Sequence, residues 1–145
     1  MLWNPQHEYR YHQIVLPEDP TAQDLFDFIA RHLFTQGARS ADDRGQCLYR
    51  EQTQNLKCAI GAVIPDDAYN LDMEGNTIYA LCTYNMVTLP KYISKYQRLL
   101  GNLQEVHDYK CNWESTQDMR CALKRVGKNR NLDTTILDSL YFIGR

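Results

Sequence analysis

No apolar run in this chain approaches the roughly 20 residues needed to cross a bilayer, so no membrane-spanning helix is expected. The opening Met1-Leu2-Trp3-Asn4-Pro5 lacks a basic start followed by an apolar block, and a secretory leader is not expected either. An excess of positive charge is also missing. The formal net charge is −2 and the pI is near 6.0, which argues against binding nucleic acid through bulk charge. The chain has no phosphate-cradling glycine loop, no Walker motif and no His-Glu-x-x-His pair. Its 4 histidines are too few and too scattered for the set a metal phosphohydrolase needs. No repeat, long linker or low-complexity tract interrupts the 145 residues, which are expected to form one domain, with 1–20 as an arm and 21–145 as the core.

Two residue types stand out among those present. The 5 cysteines are an odd number with no secretion signal, which predicts thiols in a reducing cytoplasm rather than a disulfide framework. The 10 tyrosines are a surplus; rings that pack while their hydroxyls stay wet suit a contact surface as well as a core edge.

Hydrophobic periodicity predicts a mainly helical α+β fold. His7 to Leu16 reads as an extended segment, available as a third strand and ended by Pro17 and Pro20. On such a strand His7 and His12 face opposite ways and cannot chelate one ion together. Thr21 and Asp24 form a capping box for a first helix whose stripe is Leu25, Phe28, Ile29 and Leu33, widened by Phe26, Ala30 and Phe34. Gly37 is its terminator, and His32 lies on the packed side. Further helices are expected from Thr77 through Met86, from Leu89 to Tyr109 and after an Asn112 cap with Trp113 just inside, ending at Gly127 or Asn131. Cys82 is expected to be buried, and Gly101 to mark a close helix approach. Asp133 caps a last segment, Ile136 to Ile143, readable as helix or strand.

Between the first two helices lies the densest stretch. Cys47–Arg50 and Leu56–Ile60 read as the strands of a hairpin. Symmetry about residues 52 and 53 sets Cys47 opposite Cys58, Leu48 opposite Lys57 and Tyr49 opposite Leu56. Pro65-Asp66-Asp67-Ala68-Tyr69 and Leu71-Asp72-Met73-Glu74 are turns, the second stopped at Gly75. Asp66, Asp67, Asp72 and Glu74 lack the alternating ligand spacing of an EF-hand loop, so they are assigned to capping and solvation.

Three chemistries are open to these residues. Cys47 and Cys58, with His107 and Cys111, offer the nitrogen and sulfur ligands zinc takes, without the spacing of a zinc knuckle. Cys58 at a helix N-terminus is a candidate nucleophile with His107 as base. Neighbours on a helix point about 100° apart, so Asp108 is not expected to orient His107. The basic run Lys124 to Arg130 is a weak nucleic-acid candidate, and fits equally the C-terminus of a helix, where cations complement the dipole.

Gln36-Gly-x-Arg39-Ser40, Cys47-x-Tyr49-Arg50, Lys57-Cys-Ala-Ile-Gly61, Ile64-Pro-Asp66, Tyr69 and Met73-Glu-Gly75 together form a pattern. It continues in Leu99-Leu-x-x-Leu103-Gln104-x-x-His107-Asp108 and Trp113. Over about 20–130 this pattern resembles a group of small proteins of tailed phages and prophages; the first segment and the tail depart from it. The resemblance supplies no catalytic residues. It implies a viral product in the cytoplasm of its bacterial host, of the kind that binds and blocks a host enzyme or a defence complex, such as an anti-CRISPR.

The expectation is therefore four or five helices on a small antiparallel hairpin. The protein binds a host or bacterial-defence protein stoichiometrically, with Tyr49, Arg50, Asp66, Asp67, Tyr69 and Glu74 as candidate binding residues. No cofactor is assigned and no oligomeric state is predicted. The alternative is a small thiol- or metal-dependent hydrolase using Cys47 and Cys58 with His107 and Asp108, zinc being its cofactor.

Overall fold

The computed structural model describes residues 15–143; the expected strand from His7 lies largely outside them, and Val15 and Leu16 are not in a strand. The fold is mainly helical α+β, with five α-helices and one two-stranded antiparallel hairpin among the described residues. The helices are α1 (Ala22–Gln36), α2 (Ile78–Thr83), α3 (Lys91–Lys95), α4 (Gln97–Asp108) and α5 (Thr116–Asn129); the strands are β1 (Arg50–Glu51) and β2 (Leu56–Lys57). Among the described residues, no helix is long and apolar enough to cross a membrane.

α1 starts and stops where its residues dictate. The Thr21 hydroxyl accepts the Asp24 N–H at 3.1 Å, and the Asp24 carboxylate accepts the Thr21 N–H at 3.0 Å. Gly37, at φ 72°, closes the other end on the Leu33 carbonyl. Leu25, Phe26, Ile29, Ala30, Leu33 and Phe34 are all buried, so the apolar face is centred nearer Phe26 and Phe34 than on the half-buried Phe28.

The second long helix is broken. Tyr96 leaves helical geometry at φ −111°, ψ 29°, dividing the expected Leu89–Tyr109 helix into α3 and α4. Tyr92, Leu99, Leu100, Leu103 and Val106 are buried on either side of the break, Tyr96 itself is half-buried, and the Tyr92 hydroxyl donates to the Val63 carbonyl. Cys82 on α2 is half-buried rather than buried.

α5 begins later than expected. Ser115, not Asn112, is its cap, accepting the Asp118 N–H at 3.0 Å. Trp113 ends a 3-10 turn (Lys110–Trp113) and is held from outside the helix, its indole N–H donating to the His107 carbonyl at 2.8 Å. The helix passes through Gly127 and ends at Asn129; Asn131, at φ 57°, makes the left-handed exit. A Cβ at Gly127 would meet Thr134 and Phe26, whereas one at Gly101 would meet nothing within 4 Å. The close approach is therefore at Gly127, not Gly101. The last segment is a 3-10 turn (Thr135–Ser139) followed by extended chain, fastened by Arg120, which donates to the carbonyls of Leu137 and Leu140 at 2.8 and 2.6 Å.

The hairpin register differs from the symmetric expectation by two residues. Arg50 pairs with Lys57 and Glu51 with Leu56. The loop takes a left-handed turn at Asn55 (φ 57°), and the Glu51 carboxylate accepts the N–H groups of Thr53 and Gln54 at 2.8 and 2.7 Å. These contacts fix the turn at 52–55 and so shift the pairing. Cys58 consequently donates its N–H to the Tyr49 carbonyl, while Cys47 pairs with Ala41 in an isolated bridge. The two cysteines are not cross-strand partners.

Candidate functional site

Such a short hairpin leaves both outer edges with unpaired backbone groups, and side chains close them. On the β2 side, the Gln36 amide accepts the Lys57 N–H at 2.8 Å and donates to the Lys57 carbonyl at 2.9 Å, where His32 Nε2 also arrives at 2.9 Å. On the β1 side, the Glu74 carboxylate accepts the N–H groups of Tyr49 and Arg50 at 2.8 and 3.1 Å and the Tyr69 hydroxyl at 2.8 Å. Satisfied edges cannot template another chain.

The candidate binding residues therefore do assemble, but largely onto one another. Arg50 donates to the Asp66 carboxylate and the Ile64 carbonyl, each at 2.6 Å, and its guanidinium lies 4.8 Å from the centre of the Tyr69 ring. Arg50 and Lys57 hold Asp66 well below the usual carboxylate range. Tyr49 is buried with its hydroxyl on the Asn76 carbonyl, and burial raises its pKa. Asp66 and Asp67 alone of the six stay largely in solvent.

The second cluster is at the end of α4. Cys47 Sγ, a ring nitrogen of His107 and an Asp108 carboxylate oxygen all lie within 4.8 Å of one another. Cys58 and Cys111 are not members: Cys58 is buried beneath the hairpin and Cys111 is exposed on the 3-10 turn. Asp108 does reach its neighbour, against expectation, with Oδ1 2.8 Å from His107 Nδ1. It is the last residue of α4, and the chain leaves the helix at Tyr109, so the carboxylate can fold back over the ring. Gln104, one turn earlier, donates to the same oxygen at 2.7 Å and accepts the Ile60 N–H at 3.1 Å.

The hydrogen bonds define the state of the imidazole. His107 is 0% exposed, and its Nε2 accepts the buried Ser40 N–H at 3.0 Å. Nε2 is therefore the bare nitrogen and Nδ1 carries the proton donated to Asp108. Burial raises the Asp108 pKa, but hydrogen bonds from His107, Cys47 and Gln104 outweigh it and leave the carboxyl below its ordinary value. Cys47 is pushed up by burial and by donating to Asp108, although Arg39 Nη2 lies 3.2 Å from its sulfur.

This arrangement is poorly suited to catalysis or to a resident metal. A thiol nucleophile needs the bare imidazole nitrogen as its base, and here that lone pair belongs to a backbone amide. Cys58 is held further from reactivity. Its Sγ accepts the Gly61 N–H, no lowered thiol pKa results, and burial pushes it to about 12. A cation on His107 Nδ1 would drive the ring proton to Nε2, setting it against the Ser40 N–H donor to donor. The set does not fit zinc as it stands.

The network instead ties three segments together: the loop carrying Ser40 and Cys47, Ile60 below the hairpin, and the end of α4. Trp113 packs edge-on to His107 at 5.7 Å and stacks on Phe142 at 5.8 Å, which in turn lies 5.1 Å from Phe34. Gln36, Ser40, Glu74 and Gln104 were the residues whose roles sequence reasoning missed. Each lies inside the quoted sequence pattern, which was the only available signal. Gly61 belongs with them: a Cβ there would sit 2.0 Å from the Tyr49 carbonyl oxygen.

The basic run lies at the C-terminal end of α5, as the dipole argument expects. Lys124 is paired with Asp138 at 2.9 Å, and Arg130 donates from Nε and Nη2 to the Asn102 side-chain oxygen at 3.0 and 2.6 Å. Comparison of the chain with protein-family models, curated proteins and solved structures finds no match.

Proposed function

We propose that the protein acts by stoichiometric binding to another protein, a host or bacterial-defence protein of a phage-infected cell, as an inhibitor of the anti-CRISPR kind would. The carrying observation is the exposure of large side chains on the excursion between the hairpin and α3. Leu71 is 70% exposed, Tyr79 64%, Tyr84 72% and Met86 45%. Tyrosine and methionine are enriched where proteins meet, and such side chains gain most from being covered. The excursion is built from a 3-10 turn, the six-residue α2 and turns, with only Met73, Ile78 and Leu81 buried along 71–86.

The closed Cys47–His107–Asp108 network favours binding over the hydrolase alternative, because each group that alternative needs is engaged in holding the fold. The phage origin and the cytoplasmic site rest on the sequence resemblance. Affinity capture from a bacterial lysate tests the proposal, using the wild-type chain beside a Leu71→Ser/Tyr84→Ala variant of equal thermal stability. A protein retained near one equivalent by the wild type and lost by the variant supports it. Equal retention by both, or no stoichiometric retention, overturns it.

A further inference from the structure

A second surface carries chemistry of a different kind. Between α2, the α3–α4 break and the exit from α5 lies an open groove of about 610 Å³. That is within the range of sites for small organic ligands. Its charged lining is Lys95, Arg98 and Arg130, with no acidic side chain among the lining residues. None of the three has a carboxylate within ion-pair distance among the described residues. Arg130 is held by the neutral Asn102 oxygen, which fixes its guanidinium without cancelling the charge. Three uncompensated cations in one groove of a chain with net charge −2 are a local concentration that the overall balance hides.

Two aromatic rings flank the cations. Tyr79 stands on α2, and Tyr96 occupies the break, with the Lys95 ammonium 5.2 Å from its ring centre. The break also begins α4 inside the groove: Gln97, Arg98 and Leu99 of its first turn line the wall, with no side-chain cap and no acid in that turn. A helix start with this composition favours an anion. Cations, a helix start and aromatic faces together match a ligand that joins a phosphate to a flat ring.

The geometry points to a nucleotide-binding groove, in which Lys95, Arg98 and Arg130 take the phosphate and Tyr79 and Tyr96 offer stacking faces to the base. The ligand is a nucleotide unit, free or within a single strand. The groove binds it independently of any protein partner, although Tyr79 borders both surfaces.

Calorimetric titration of the purified chain with ATP, with AMP and with a (dT)8 oligonucleotide tests this at low salt. Arg98→Gln and Lys95→Gln are the variants, since both side chains are at the surface, and Tyr79→Ala probes stacking. The expected result is saturable binding of a nucleotide, weakened roughly tenfold or more by Arg98→Gln and about fivefold or more by Tyr79→Ala. Tighter, salt-sensitive binding of (dT)8 would assign the groove to a strand, and equal binding of ATP would assign it to free nucleotide. Failure of all three ligands to bind below about 1 mM, a weak-affinity limit, overturns the inference. So does binding that the variants leave unchanged, or polyglutamate and pyrophosphate binding as tightly as ATP. Capture of a protein through Leu71 and Tyr84 is unaffected by any of these outcomes.

Discussion

Gly101 and Gly127 are each inside a helix, so the same substitution at the two positions separates local propensity from packing. Alanine is favoured over glycine in a helix interior by up to about 1 kcal/mol. At Gly101 nothing lies within 4 Å of the added methyl, so Gly101→Ala keeps that gain. At Gly127 the methyl would be 2.4 Å from Thr134 Cγ2 and 3.0 Å from Phe26 Cζ, and Phe26 is fully buried. Overpacking of this kind costs about 1–3 kcal/mol, which leaves Gly127→Ala destabilised by roughly 0–2 kcal/mol after a propensity gain of that size. For a chain of this length, that is a rise in Tm of up to about 2–4 °C for Gly101→Ala and a fall of up to about 8 °C for Gly127→Ala. Urea unfolding followed by circular dichroism, with thermal melts beside it, reads both. If Gly127→Ala were stabilised as much as Gly101→Ala, the seating of α5 against Phe26 and Thr134 would be refuted.

Three further outcomes follow from the site. Glu74→Ala strips the acceptor from the Tyr49 and Arg50 N–H groups and should cost about 2–4 kcal/mol in urea unfolding, whereas Glu74→Gln, which keeps one oxygen, should cost about half as much. Burial lowers the His32 pKa to about 4, so on acidification the unfolded chain takes up its proton first, and stability is lost as pH falls from about 6.5 toward 4. The loss from pH 7 to pH 5 is at most about 2 kcal/mol, and it should be absent in His32→Gln at matched pH. In thiol titration with Ellman's reagent, Cys111 and Cys121 should react fast, Cys47 and Cys82 slowly, and Cys58 only on unfolding.

α1 was legible because every local signal agreed: a capping box, an apolar stripe and a glycine exit. The existence of the hairpin was legible for a similar reason. Its register was not, because it depends on the left-handed Asn55 and the Glu51 carboxylate, and a turn-centred symmetry argument weighs neither. The break at Tyr96 has no proline or glycine to announce it, and the apolar stripe continues across it. Cys47 and Cys58 are not opposite each other as the symmetric hairpin predicts. Cys47 finds Asp108 through a loop that returns to Ala41, a long-range contact with no sequence period. The contact between Asp108 and His107 was excluded by helical geometry that holds in mid-helix, and Asp108 is at the end. Glu74 and Gln36 act on backbone groups across the fold, and side chain-to-backbone bonds of that range leave no trace in spacing.

The central claim is that the one thiol–imidazole–carboxylate cluster among the described residues is closed, with His107 committed to Ser40 and Asp108. Long-range proton–nitrogen correlation of the His107 ring measures this directly, since the two neutral tautomers give different nitrogen shifts. The account predicts a neutral ring protonated on Nδ1, bare at Nε2 and unchanged by one equivalent of zinc. A ring protonated on Nε2, or nitrogen shifts that move when zinc is added, would contradict it.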